Sequence, residues 1–432
     1  YVFSLDKQSR RPYINKINSI DNTMQTSLLD KNEDEIYSVF DDSHHRFAIA
    51  IDKEGYIHVI GDMHHGSGGS GKGGSYRQLT DNPLPQRFLN IEYGEQMYWV
   101  SDNPEDVSSF TFVGNDANRH FPCNRTTYNY FRKDNNGVLY MAGRQSVRQN
   151  KSHESGTLGL CLAKYDTSTK TWNLLGGVPE GGYEGLDIGD EKVYESILWE
   201  PHGYNKTDVG STWYQSYSSN FKFDTNNTMH LVATINADTV HNGGTNMVYS
   251  YSKDGGNTFN RLDRVTLNKF PLRVNGTSDD NSSNQIDSAI NQNKDSVIYE
   301  AWYPGLFFDS NSSPAVIYKN IEDINNSIIK YRYFDKTSSE WKDSNILTRM
   351  EDIRADSYTL LDGSMLIIGS KGIQRIDNFG EDGITYKFDS KIKASFTDSY
   401  FLREVDIDLL RTKNILRGIA QIDGRFAIIT VY

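Results

Sequence analysis

Short apolar runs recur along the chain: MYWVS, FTFVG, VLYMAG, MHLVATI, SVIYEAWY, IKYRYF, MLIIGS and FAIITVY. They are rich in β-branched and aromatic residues, bounded by Gly, Asn or Asp, and helical periodicity is nearly absent. This pattern predicts an all-β protein. A weak repeat of a polar turn followed by an apolar strand accompanies it. Its members are DKEGYIHVI near Gly55, DNNGVLYMA near Gly137, IGDEKVYES near Gly189 and DTNNTMHLV near Asn227. NQNKDSVIYEAW near Asp295, LLDGSMLII near Gly363 and IDGRFAIIT near Gly424 complete it. The intervals are 82, 52, 38, 68, 68 and 61 residues.

A second recurring turn ends in an aromatic residue: YDTSTKTW (165–172), SKDGGNTF (252–259) and YFDKTSSEW (333–341). The middle one fits the Asp-box pattern S-x-D-x-G-x-T-[WF], in which Asp closes a hairpin turn and the aromatic ring packs between sheets. Seven units averaging about 60 residues suggest radial repetition of four-stranded blades. The expectation is a single domain over residues 1–432, a β-propeller of seven blades whose terminal strand RFAIITVY closes the ring. A pair of β-sandwiches is the alternative.

Composition sharpens this outline. Aromatics make up 12% of the chain, and 27 tyrosines against ten prolines suit many short strands. No run approaches the roughly 18 apolar residues of a membrane span. The chain begins Tyr1-Val2 without Met, which suggests a trimmed form and a secreted or periplasmic protein. Cys123 and Cys161 have no CxxC spacing, leaving one disulfide or two free thiols. A net charge of −12 argues against nucleic-acid or anionic-membrane partners. Between Arg119 and Lys151, however, seven Lys/Arg stand against the single acid Asp134, which suggests a local anionic ligand.

Candidate chemistry gathers in the same third of the chain. HHRFAIAIDKEGYIHVIGDMHH (44–65) carries five of the ten histidines, with a pair at each end of a hairpin pattern. Successive strand residues face opposite sides, so one His of each pair points to a given pocket. The glycine-rich stretch 66–75 mimics a phosphate loop, but Gly73 stands where Ser or Thr should hold Mg²⁺. A mobile loop is the simpler reading. No HExxH is present, and nothing in the spacing of His153, Cys161, His202, His230 and His241 requires a zinc site. Structural zinc, or calcium on Asp-rich turns, stays open; no cofactor is needed for the chemistry below.

His44, AIAIDKEGYIHV, DMH ending at His64, YWVSDNPED and TTY…F…DNNGVLYMAGR together resemble the BNR-repeat propeller polysaccharide lyases, the ulvan lyases above all. The likeness is dense over 41–172 and thins to Asp-box-like repeats beyond. The separations of 20 residues from His44 to His64 and 16 from Tyr128 to Arg144 fit that family's catalytic set of two His, one Tyr and one Arg. The sequence TTYN departs from the TYP common in such repeats but keeps the tyrosine.

The resemblance implies β-elimination at a uronic acid. Arg144 would neutralise the carboxylate, Tyr128 would serve as base and acid, and His44 and His64 would assist. A register slip would exchange these for His45 and His65. Arg119, Arg125 and Arg148 would line a canyon for an anionic polysaccharide, and Trp213, Tyr214 or Tyr217 would stack on sugar rings. The expected protein is a monomer. A sialidase-like glycosidase and a non-catalytic glycan-binding propeller are the competing readings.

Overall fold

The structure is a computed structural model. It describes residues 1–6, 11–18, 21, 23–29, 36–39, 47–61, 76–79, 97–114, 120–123, 126–147, 157–177, 186–188, 191–193, 198–201, 214–237, 245–262, 264, 266–267, 270, 272–274, 287–290, 305–323, 326–343, 356–360, 363–369, 372–380, 384–387, 404–405, 409, 412–413, 415–422 and 425–431. Strand is almost the only regular structure among them.

Antiparallel meanders form the repeating unit. Three strands, Val2–Leu5, Pro12–Ile17 and Met24–Leu28, make the first sheet. Phe47–Ile51, Ile57–Gly61, Tyr98–Ser101 and Phe110–Phe112 make the second. Thr126–Lys133, Leu139–Val147, Thr157–Asp166 and Thr171–Leu175 form the third. Trp199–Pro201 extends it beside Thr157–Asp166, and Leu272–Val274 lies parallel to that addition. A fourth sheet contains Tyr214–Phe223, Met229–Ala237, Thr245–Ser252 and Phe259–Asn260. The fifth begins at Gly305–Phe308 and the sixth at Asp356–Thr359, each with four strands. The last described sheet has three strands and ends with Arg425–Val431 paired to Leu416–Ile422.

Among the described residues one turn is used five times. Asp52, Asp134, Asp224, Asp309 and Leu360 each accept a backbone bond from the residue three positions on and donate one to the residue four positions on. The third position of each excursion has positive φ: Gly55, Gly137, Asn227, Ser312 and Gly363. The Asp carboxylates tighten four of these turns. In each, Oδ1 accepts the N–H groups of the residues two and four positions ahead, as Asp52 does from Glu54 and Tyr56. The sequence repeat coincides with four of these five turns and misses the one at Asp309, and the strands on either side of its Gly424 member also pair antiparallel. Ser312 occupies the left-handed position there at φ 58°, so no Gly or Asn signals the turn. The strands flanking the Gly189 member, Leu186–Ile188 and Glu191–Val193, pair antiparallel with each other and, among the described residues, with no other strand. The Asp295 member lies outside the described residues.

Strand alternation sends successive residues to different cores. Ile57, Val59 and Trp99 pack with Ile14 and Leu29 of the first sheet, whereas Ile60 and Tyr98 pack with Phe131, Met141 and Trp172 of the third. Leu306 and Phe308 likewise join Val232 and Tyr249, while Phe307 turns to Tyr331, Met365 and Ile367. Two compact units result. One comprises Tyr1–Gly203, Tyr214–Ser216 and Leu267–Gln285; the other comprises Tyr204–Trp213, Tyr217–Thr266 and Ile286–Tyr432.

Candidate active site

The hairpin of Thr126–Lys133 and Leu139–Val147 is regular except at one point. Thr127 faces Arg144 and Tyr130 faces Ala142, so Tyr128 and Asn129 together oppose the single residue Gly143. This is a β-bulge, which bends a strand and re-aims its side chains. Tyr128 takes up the extra residue at φ 57°, in the left-handed region that a bulky side chain rarely enters. Its ring lies under the Arg144 guanidinium, whose carbon is 4.5 Å from the ring centroid. Arg144 also donates from Nε to Thr127 Oγ1 at 3.0 Å. Both side chains are buried; only 8% of Arg144 and 9% of Tyr128 reach the surface. A fixed cation, a phenol and a small exposed edge suit recognition of a carboxylate and transfer of a proton beside it.

Asn129 completes the bulge. Its Nδ2 donates to the carbonyl of Thr126, bridging the excursion, and to that of Gly61 in the neighbouring sheet, both at 3.3 Å. A side chain at position 143 would displace Asn129: an ideal Cβ there would lie 2.3 Å from Asn129 Oδ1 and 3.0 Å from Thr126 Cβ. Gly61 pairs with Phe47, which places the two ends of the His-bearing hairpin side by side. His44 and His64, like His45 and His65, lie outside the described residues, two to four positions beyond that pair. Thr127, Asn129 and Gly143 were not anticipated from sequence. The one available signal was Asn in place of Pro after the tyrosine.

Beneath the hairpin turns lies a polar arrangement that occurs twice among the described residues. His58 Nδ1 is 2.6 Å from Tyr98 Oη and its Nε2 is 3.4 Å from Asp52 Oδ2. Trp172 donates its indole N–H to Tyr98 Oη at 3.0 Å, so the Tyr98 proton is left to point at His58 Nδ1. Nε2 then carries the imidazole proton and donates it to Asp52. In the fourth sheet His230 Nδ1 is 2.5 Å from Tyr249 Oη and its Nε2 is 3.3 Å from Asp224 Oδ2. Burial pushes both imidazoles below their ordinary range, and the neighbouring carboxylates only partly oppose it. Burial works against ionisation of Asp52 and Asp224 too, but bonds from His58 and His230 and from the turn N–H groups outweigh it and hold both low. Burial drives the Tyr98 phenol well up. The two histidines are thus neutral, structural groups.

Of the expected set, Tyr128 and Arg144 are brought together. Arg119, Arg125, Arg148 and Trp213 lie outside the described residues. Tyr214 and Tyr217 stand on the strand Tyr214–Phe223, their side chains outside the description. Cys123 and Cys161 form a disulfide, which removes Cys161 as a zinc ligand. His230 has both ring nitrogens engaged in the relay just described. His153, His202 and His241 lie outside the described residues. Among the described residues no three His, Cys, Asp or Glu cluster as a metal site, and no helix is long and apolar enough to cross a membrane.

A family model described as a BNR repeat-containing family member matches residues 93–349, more than half of the chain. No curated protein matches the sequence. Among solved structures, the polysaccharide lyase Uly1 superposes with a TM-score of 0.57 at 14% identity, over 98% of this chain and 84% of that one. The α-L-arabinanase of Penicillium chrysogenum, complexed with arabinobiose, gives a TM-score of 0.43 at 9% identity, over 91% and 94% of the two chains. The first of these likenesses establishes a shared fold.

Proposed function

Because the chain belongs to the BNR repeat-containing family, we propose that it is a polysaccharide lyase acting by β-elimination on a uronate-containing, ulvan-like polysaccharide. The observation that carries this reading is the bulged Tyr128 held against the buried Arg144. The C5 proton of a uronate is weakly acidic because the adjacent carboxylate resists further negative charge. Arg144 neutralises that carboxylate with a permanent charge and a bidentate fork. Tyr128, as phenolate, removes the C5 proton; the C–H electron pair becomes the C4=C5 double bond and the C4–O4 bond breaks. In glucuronate the proton and O4 share a face, so the same phenol returns the proton to the leaving oxygen. In iduronate they lie on opposite faces, and a neutral His, His44 or His64, serves as the base while Tyr128 protonates O4. No metal or organic cofactor enters these steps.

The substrate is an anionic polymer. Arg119, Arg125 and Arg148 hold its sulfate or carboxylate groups, and Trp213, Tyr214 or Tyr217 offer stacking surface. The Cys123–Cys161 disulfide supports a secreted or periplasmic protein, since such bonds persist in oxidising compartments. The protein acts as a monomer. Incubation with ulvan and other uronate polymers, followed by ultraviolet absorbance, tests the reading. A conjugated unsaturated uronate is the expected product. New reducing ends without that absorbance would mean hydrolysis, and binding without cleavage would mean a glycan-binding propeller.

A further inference from the structure

Asn129 stands between the two parts of the candidate site and touches the backbone of both. Its amide donates to Thr126 O, which spans the bulged residues Thr127 and Tyr128, and to Gly61 O, where the His-bearing hairpin closes. Opposite it, Gly143 leaves room for its carbonyl oxygen, which a Cβ there would approach to 2.3 Å. Gly143 has no positive φ among the strained positions, so close approach explains the glycine there. The left-handed Tyr128 is a costly conformation, on the order of 1–3 kcal/mol, and persists only where neighbours over-determine it. Asn129 and Gly143 supply that determination.

We propose that Asn129, seated against Gly143, is a positioning residue. It fixes the bulge that lays Tyr128 against Arg144 and sets this pair in register with the end of the Phe47–Gly61 hairpin. Asn129 acts through Tyr128 and contacts no reacting atom. The kinetic part of this inference rests on the lyase reading; the structural part does not.

Two substitutions approach the same contact from opposite sides. Asn129→Ala removes both bonds, while Gly143→Ala displaces the side chain that makes them. Tyrosine Cζ-labelled protein gives a resonance for Tyr128, assigned from its loss in Tyr128→Phe. In both variants that resonance should shift and its pH titration should differ from wild type, with circular dichroism unchanged. In the lyase assay kcat should fall about 10²-fold, the scale of a small misplacement at a reacting centre, with KM nearly constant. The double variant should be little worse than either single one, because both changes break one contact. If Asn129→Ala fails to fold, Asn129→Ser serves in its place. Folded variants with a wild-type Tyr128 resonance and titration would overturn the proposal. Wild-type protein that makes no unsaturated product would defeat the lyase reading alone, and the resonance would still decide on Asn129.

Discussion

At Arg144 a single guanidinium meets two demands. It stacks over Tyr128 and bonds Thr127 Oγ1 while 92% of its surface is covered, which fixes its plane as well as its charge. Arg144→Ala should lower kcat by roughly 10²–10³, the scale for losing one stabiliser of developing negative charge. Arg144→Lys should recover little, since an ammonium keeps the charge but loses both the stacking plane and the fork. Steady-state kinetics on a uronate polymer checks this, and near-normal turnover in the lysine variant would remove Arg144 from the mechanism. The Tyr128–Arg144 pairing was legible through the resemblance to the BNR-repeat lyases, whose catalytic set its 16-residue separation fits. The bulge was not legible, because Thr126 to Asn129 carry no apolar alternation for an extra residue to shift. Thr127 and Asn129 read as ordinary strand residues for the same reason.

Hairpins are the recurring element, and two of them rest on a buried Asp–His–Tyr relay. Asp52, Tyr98 and Tyr165 surround His58, with Lys133 acting on it electrostatically; Asp224, Tyr249 and Tyr251 surround His230, with Lys336 acting likewise. Both imidazoles have depressed proton affinity in the folded chain, so the unfolded chain binds more protons once pH falls below about 6.5. Stability is therefore full above that pH and is lost as pH falls through this window, by at most about 1.4 kcal/mol per pH unit for each histidine. Depressed Asp52 and Asp224 extend the loss below their ordinary range. Urea midpoints at pH 7, 6 and 5 should fall steadily in wild type. His58→Gln, whose amide can accept from Tyr98 and donate to Asp52, should flatten about half of that slope. An unchanged slope would show that His58 takes up a proton as readily in the folded chain as in the unfolded one. The turns themselves were readable wherever Gly or Asn marks positive φ, at Gly55, Gly137, Asn227 and Gly363. Ser312 hid the turn at Asp309.

Across the whole molecule the all-β architecture followed directly from short apolar runs and their punctuation, because strand length and turn chemistry are local properties. Which sheets face one another was not local, and neither was the fate of the two cysteines. The Cys123–Cys161 bond ties the segment entering the Tyr128 strand to the strand next to that of Arg144, closing a separation of 38 residues. Replacing both cysteines by serine should cost about 2–5 kcal/mol of stability, measured by urea unfolding. A shift well under 1 kcal/mol would mean that sheet packing alone holds this segment. The central claim, elimination at a uronate with Tyr128 moving the proton, has a direct measurement. Defined glucuronate and iduronate oligosaccharides are mixed with wild type and with Tyr128→Phe, and ultraviolet absorbance of the unsaturated product is followed with circular dichroism as the control for folding. Wild type should generate the absorbance, and the folded phenylalanine variant should generate none on either sugar. Substantial product from the variant would contradict the role of Tyr128, and its absence from wild type on every uronate tested would contradict the lyase itself.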